Sequence, residues 1–236
     1  MIIWTVQQAE VVENAIQNGC YIPNIYKSEF LKNVNQQVED GKERVIELVN
    51  LYKFISYIYW ERNPIKGIKP GNSTGICFGF AGDSGKELFS WDTIDEFGKF
   101  ILSHMSVIDS LWNQMLFNPK NVVLKIEVNC DPCPIDINDW QYLMPPFIDF
   151  SSLGMSREDI VKYLLVPNSY HRSPQRSGVV QLHFPAIIPS QIRGIGSVFN
   201  EKYYAQEDSL NNANVLIREL NNEGFNDVEL LTFNNR

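Results

Sequence analysis

Apolar and polar residues follow two spacings along this chain, one typical of strands and one typical of helices. Short apolar runs rich in β-branched residues predict strands at residues 2–6, 75–80, 122–128, 178–184, 195–199 and 228–233. Apolar residues that recur every three or four positions predict helices at residues 8–17, 26–62 with a break near Asp40, 92–117, a short one from 156, and 209–222. Elements mixed in this order predict an α+β fold.

The longest uninterrupted helical pattern, at residues 92–117, begins at Asp92, whose side chain can cap the first turn. Its apolar positions recur at helical spacing, so one face is expected to pack in the core through Phe97, Ile101, Ile108 and Leu111. An Ile101→Asp replacement is therefore expected to unfold the domain, because it would bury an unpaired charge.

Length and composition are those of a globular protein. The chain has 236 residues, of which 44% are hydrophobic and 20% charged. A domain of this length can bury roughly 70% of the surface that the unfolded chain exposes. No repeat, low-complexity stretch or Pro/Gly/Ser linker divides the sequence. One α+β domain over residues 1–236 is the simplest organisation.

The net charge of −8 disfavours contact with phosphate backbones, so nucleic-acid binding would need a local basic patch. The short basic stretches are interpreted as solvated loop charges; they are Lys66 with Lys69, and the segment around His171, Arg172 and Arg176. The sequence opens without a basic leader and has no apolar run near the ~20 residues that span a bilayer. Its four cysteines are too sparse for a disulfide framework. A cytoplasmic location is expected.

Several residue patterns are compatible with chemistry but incomplete. Cys130 and Cys133 have the spacing of half a zinc site or of a redox pair, but no second cysteine pair accompanies them, so ordinary turn cysteines and no tightly bound zinc are expected. Asp136 and Asp139 flank Trp140 and are typical of a solvated turn more often than of an acid–base pair. No nucleophile elbow occurs, and the glycines at 79–85 lack the ending of a phosphate-binding loop.

Four stretches, in this order and spacing, carry a resemblance over about residues 1–200. The chain resembles a bacterial family of unknown function whose members open with an aromatic-Thr-x-Gln strand. The matching stretches are Trp4-Thr5-Val6-Gln7, then Leu51-Tyr52-Lys53-Phe54 with Trp60 and Arg62, then 123–128 leading to Asp136, Asp139 and Trp140, and finally 180–184 with 192–199.

The same order is also similar to ADP-ribosyltransferases, through the opening strand, the helix that ends at Gly19 and the segment 168–181. The resemblance implies a split mixed or antiparallel sheet flanked by helices, with NAD bound as the substrate. By position it implies cofactor contacts from Trp4, Thr5, Gln7, Tyr170 and Arg172 and the catalytic position at Gln181. Thr5 and Gln7 would then lie beside Tyr170 and Gln181 in one cleft.

Gln181 departs from the transferase pattern, in which this position is usually Glu. A neutral amide cannot stabilise a cationic transition state as a carboxylate does. The resemblance therefore implies either an enzyme that transfers ADP-ribose to a macromolecular acceptor, in bacterial or phage conflict as a toxin or defence protein, or a catalytically inactive binding or inhibitory protein on the same scaffold. An inhibitor partner is compatible with both alternatives, and a small metal-site protein built on Cys130 and Cys133 is a third.

Overall fold

The computed structural model describes residues 1–27, 41–105, 115–130, 134–137, 177–200 and 204–233. The chain is a mixed α/β protein that divides into two compact units, each assembled from separate segments of the sequence. Unit 1 comprises Met1–Tyr21, Gly79–Asn129 and Ile187–Arg236, and unit 2 comprises Ile22–Phe78 and Cys130–Ala186. The single α+β domain over residues 1–236 stays a prediction.

Eight strands and four α-helices lie in the described residues. The strands are Ile2–Gln8 (β1), Cys77–Asp83 (β2), Leu88–Phe89 (β3), Asn121–Glu127 (β4), Pro134–Asp136 (β5), Val179–Phe184 (β6), Ile192–Ser197 (β7) and Glu229–Leu231 (β8). The α-helices are Ala9–Asn18 (α1), Gly41–Arg62 (α2), Ile94–Ser103 (α3) and Glu207–Asn222 (α4). Short 3-10 helices occupy Ile25–Lys27 and Pro189–Gln191. The predicted helix from 156 lies outside the described residues, as do residues 28–40 of the helical pattern at 26–62.

Unit 1 is built on a mixed sheet. Strand β1 pairs antiparallel with β4 along its whole length, from Ile2↔Glu127 to Gln8↔Asn121, and β4 pairs antiparallel with β7. Strand β8 then lies parallel to β7, and β1 also meets β2 at Trp4↔Phe80. Because β1, β4 and β7 are rich in Ile and Val and buried along most of their length, their apolar side chains form much of the core of this unit.

Helix α3 begins with a capping box. The Thr93 hydroxyl accepts a hydrogen bond from the Glu96 amide at 3.2 Å, and the Glu96 carboxylate accepts from the Thr93 amide at 3.2 Å. The cap is thus Thr93, and the prediction of Asp92 is wrong by one residue. Phe97 and Ile101 are fully buried, which confirms their predicted core positions.

Helix α3 ends at Ser103, so the prediction of one helix through residue 117 is wrong. The His104 amide donates to the Ile101 carbonyl at 3.0 Å, which tightens the last turn, and the Ser103 hydroxyl donates to the Phe100 carbonyl at 2.7 Å. These local bonds take backbone acceptors that a continuing helix would use. Ile108 and Leu111 lie outside the described residues.

Unit 2 packs helix α2 against the residues around β5. Ile55, Tyr59 and Trp60 form a buried cluster, joined by Ile76 and Ile135. The Trp60 indole N–H donates to the Gly75 carbonyl at 3.1 Å, which fixes the entry to β2 beside the helix. Strand β5 pairs antiparallel with β6, whose six residues are all buried. Within the described segments of the chain, no helix has the length and apolar character that a membrane crossing requires.

Candidate functional site

Trp4, the first residue assigned to the cofactor by resemblance, lies in an aromatic cluster of unit 1. Its ring stacks on Phe97 with the centroids 5.2 Å apart, and its indole N–H donates to the Trp91 carbonyl at 2.8 Å. The Lys125 ammonium lies 5.7 Å from the centroid of the same ring. Trp4 is fully buried, so its indole N–H and the ring face on Phe97 are already used inside unit 1.

Thr5 and Gln7 lie on the opposite face of β1 from Trp4, because successive side chains of a strand alternate. The Gln7 amide donates to the Thr5 hydroxyl at 2.9 Å. Thr5 is only 1% exposed, whereas Gln7 is half-buried. The structure thus brings Thr5 and Gln7 into direct contact, and Gln7 is the more exposed member of the pair.

Gln181 lies in the middle of β6 in unit 2, in register with Ile135 of β5. Its side chain is 1% exposed, and its amide nitrogen lies 3.4 Å from Nε2 of His183, which is fully buried. The two side chains share a face because they are two residues apart on one strand. The His183 ring in turn meets the edge of Phe78, with the centroids 5.3 Å apart.

The carboxamide of Gln181 is incompletely satisfied. Its Oε1 atom is buried and has no hydrogen-bond partner among the residues that the structure describes. With the amide nitrogen donating, Nε2 of His183 must be the unprotonated ring nitrogen. A buried carbonyl oxygen without a donor costs about 1–3 kcal/mol. The Oε1 atom is therefore an unused acceptor, and because it is buried, only a group that enters the interior of unit 2 reaches it.

Asp136 is the carboxylate nearest to Gln181 in strand register, but it faces the other way. It pairs with Val180, one residue before Gln181, so its side chain belongs to the opposite face of β5 and β6. It is fully buried, and both of its oxygens accept from the Ser177 amide, at 3.3 and 3.2 Å. Asp136 is thus a buried structural acceptor rather than part of the solvated turn that the sequence predicted.

The remaining assigned residues, Tyr170 and Arg172, lie outside the described residues, as do Asp139, Trp140 and Cys133. The common cleft of Thr5, Gln7, Tyr170 and Gln181 stays a prediction. His183 was not among the predicted site residues, although the pattern Val-Val-Gln-Leu-His-Phe of β6 places it two positions from Gln181 and hence on the same face.

In the parts of the chain that are described, no group of three or more His, Cys, Asp or Glu side chains is arranged to hold a metal ion. Cys20, Cys77 and Cys130 are reduced thiols. Comparison of the chain with protein-family models, with curated proteins and with solved structures finds no match.

Proposed function

We propose that this chain is an ADP-ribosyltransferase-like protein that binds NAD without transferring its ADP-ribose. The proposal combines the resemblance in segment order with one observation, the buried and neutral Gln181 at the catalytic position. The finer fold assignment, a split sheet of the transferase type, and the cytoplasmic location belong to the same proposal.

Charge is the first argument against turnover. Cleavage of the bond between nicotinamide and ribose develops positive charge on the ribose, and a fixed carboxylate stabilises that charge. Strand β6 contains no acidic residue. The carboxylate of Asp136 on β5 cannot replace one, since it lies on the opposite face and is held by the Ser177 amide.

Hydrogen bonding is the argument for binding. Within the described parts of the chain, the Oε1 atom of Gln181 is an acceptor without a donor, in a strand whose other side chains are mainly apolar. A ligand that offers an N–H group, as the carboxamide of nicotinamide does, would satisfy it and recover part of the cost of about 1–3 kcal/mol. Gln7, with its amide nitrogen on Thr5, is the half-buried polar residue of the other assigned segment.

Transfer of ADP-ribose to a macromolecular acceptor is the alternative that the same resemblance implies. It would require a carboxylate from a segment other than β5 and β6, or a reaction slow enough to proceed with an amide. The two functions differ in one product, because only the enzyme releases nicotinamide.

The test is equilibrium dialysis of the purified chain against NAD, followed by assay of free nicotinamide. We expect NAD to be retained by the wild type with no nicotinamide above the level of the buffer. A Gln181→Glu variant that remains folded should gain release, since it restores the carboxylate. Release by the wild type at a rate that Gln181→Met abolishes would show that the chain cleaves NAD, with water as the acceptor of ADP-ribose in this assay, and would contradict binding without turnover. No retention at millimolar NAD would remove both functions.

A further inference from the structure

Unit 2 has an exposed surface on which one lysine neighbours two tyrosine rings, and this surface plays no part in the proposed function. Tyr26 is 56% exposed and Tyr57 is 60% exposed. The Lys53 ammonium lies 5.0 Å from the centroid of the Tyr26 ring. Lys53 also precedes Tyr57 by four positions in helix α2, so these two side chains are neighbours on one side of the helix. Tyr26, Lys53 and Tyr57 form what we call the tyrosine patch.

Backbone contacts hold Tyr26 in place. The Tyr26 amide donates to the Asn24 side chain at 2.9 Å. The neighbouring Ile25 is buried, and its amide donates to the Ser73 carbonyl at 2.9 Å. The Tyr26 ring is therefore presented to solvent from a fixed segment, as Tyr57 is from a helix. A ligand that contacts both rings would require little ordering of the backbone.

Unit 2 exposes positive charge. It has as many Lys and Arg as Asp and Glu, so the net charge of −8 belongs to unit 1. Among the side chains of unit 2 that the structure describes, the carboxylates are Glu61, which accepts from the Tyr57 hydroxyl, and Asp136, which is fully buried. Against these, five cationic side chains are exposed or half-buried, namely Lys27, Lys53, Arg62, Lys66 and Lys69.

Lys66 and Lys69 are held at the surface by the residues around them. Ile65 and Ile68 pack against the buried cluster of helix α2. The Ile68 amide donates to the Ile65 carbonyl at 3.1 Å, and Gly67 adopts the φ of 85° that this turn requires. Both lysines are exposed on the turn. The cations that the sequence alone interpreted as solvated loop charges are thus fixed on the same unit as the tyrosine patch.

We propose that this surface of unit 2 binds single-stranded nucleic acid, with bases stacked on Tyr26 and Tyr57 and a phosphate held by Lys53. A single strand alternates flat bases with phosphates, and a cation beside two exposed aromatic rings matches both groups. In a duplex the bases stack on one another, so the tyrosine rings would meet no free base. Salt weakens such a complex, because each neutralised phosphate releases counterions.

Two other polyanions match this surface less well. An anionic membrane is bound through apolar side chains that enter the lipid, but in the described part of unit 2 the exposed large hydrophobic residues are Tyr26 and Tyr57 alone. An acidic protein segment would pair with the cations, but it has no flat ring at each repeat to stack on the tyrosines. Single-stranded nucleic acid uses both the rings and the cations.

The test is a titration of a fluorescent 12-nucleotide oligothymidylate with the full chain, followed by anisotropy at 50 and 200 mM salt. We expect saturable binding that weakens about tenfold between the two salt concentrations, the response of two or three neutralised phosphates. Tyr26→Ala and Tyr57→Ala should each weaken binding by about fivefold or more through loss of stacking, whereas Tyr57→Trp should retain it. Lys53→Gln should reduce the salt dependence.

Tyr204→Ala and Lys99→Gln are the matched controls, because both residues are exposed in unit 1 and their variants should bind as the wild type does. Circular dichroism melts check that every variant is folded. Unchanged anisotropy of the oligonucleotide at 50 mM salt would overturn the proposal, as would equal losses in Tyr57→Ala and Tyr204→Ala. A duplex of the same length that binds as tightly would also overturn it. So would polyglutamate that displaces the strand at an equal concentration of charge, or phosphatidylserine vesicles that bind when the oligonucleotide does not.

Discussion

Loss of the Ser209 hydroxyl should destabilise unit 1. Ser209 lies fully buried in the first turn of α4. Its hydroxyl donates to the carbonyl of Asn121, at the start of β4, and accepts from the amide of Val198 at 2.8 Å, just beyond β7. One oxygen atom therefore ties the helix to two neighbouring strands. Ser209→Ala removes both hydrogen bonds, so the buried Val198 amide and the buried Asn121 carbonyl each lose one partner.

The expected cost follows from the two backbone groups. Each buried group left without its partner costs about 1–3 kcal/mol, and alanine returns about 0.5 kcal/mol through its better helix propensity. We expect a loss of roughly 1.5–5.5 kcal/mol in the free energy of unfolding. For a chain of this length each kcal/mol lowers the melting temperature by about 2–4 °C, so the midpoint should fall by roughly 3–22 °C.

The assay is thermal unfolding followed by circular dichroism, with urea unfolding to give the free energy. Asn211→Ala is the matched control, since Asn211 is an exposed residue of the same helix and its replacement should change stability by no more than about 0.5 kcal/mol. A Ser209→Ala midpoint equal to that of the control would refute the two-strand anchor.

Three further changes test other parts of the account. Gly196→Ala should cost about 1–3 kcal/mol by overpacking, because an added Cβ would lie 2.6 Å from the Ile94 side chain and 2.8 Å from the Leu231 carbonyl. Gly71→Ala is the control, since its added Cβ would meet nothing closer than 3.9 Å, and equal urea midpoints of the two variants would contradict the prediction. Thr93→Ala should cost about 1 kcal/mol by loss of the cap while Thr93→Ser keeps most of it, again by urea unfolding. Burial raises the pKa of Cys77 above its ordinary 9.0, so the thiol ionises at lower pH in the unfolded chain than in the folded one. The free energy of unfolding should therefore fall as the pH rises above about 9. Cys77→Ala should flatten that decline when melting temperatures are measured across the pH range.

The pattern of apolar residues was sufficient to predict most of the regular structure. Strands β1, β4, β6 and β7 and helices α1 and α4 lie within a few residues of their predicted bounds, because each has a strong period and a clear stop, such as Gly19 with its φ of 76° after α1. The end of α3 was missed because hydrogen bonds from the Ser103 hydroxyl and the His104 amide, and not apolar spacing, determine it. The short strand β3 forms by pairing with β2, which local sequence does not specify.

The candidate site was predictable only in part. Alternation along β6 predicts that Gln181 and His183 share a face, but the burial of both depends on β5, which is far away in sequence. The same alternation separates Trp4 from Thr5 and Gln7. A hydrogen bond of Tyr59 to Cys130 joins residues 71 apart in the chain, so no local sequence pattern predicts it.

The most direct test of the central claim is calorimetric titration of NAD into the wild type, Gln181→Met and Leu182→Met. Methionine is close to glutamine in shape but lacks the acceptor, so Gln181→Met should weaken NAD binding about tenfold, the equivalent of 1.4 kcal/mol, without lowering the melting temperature. Leu182→Met changes a neighbouring buried residue on the other face and should bind NAD as the wild type does. Equal affinities of the wild type and Gln181→Met, or no heat of binding to either, would contradict the account.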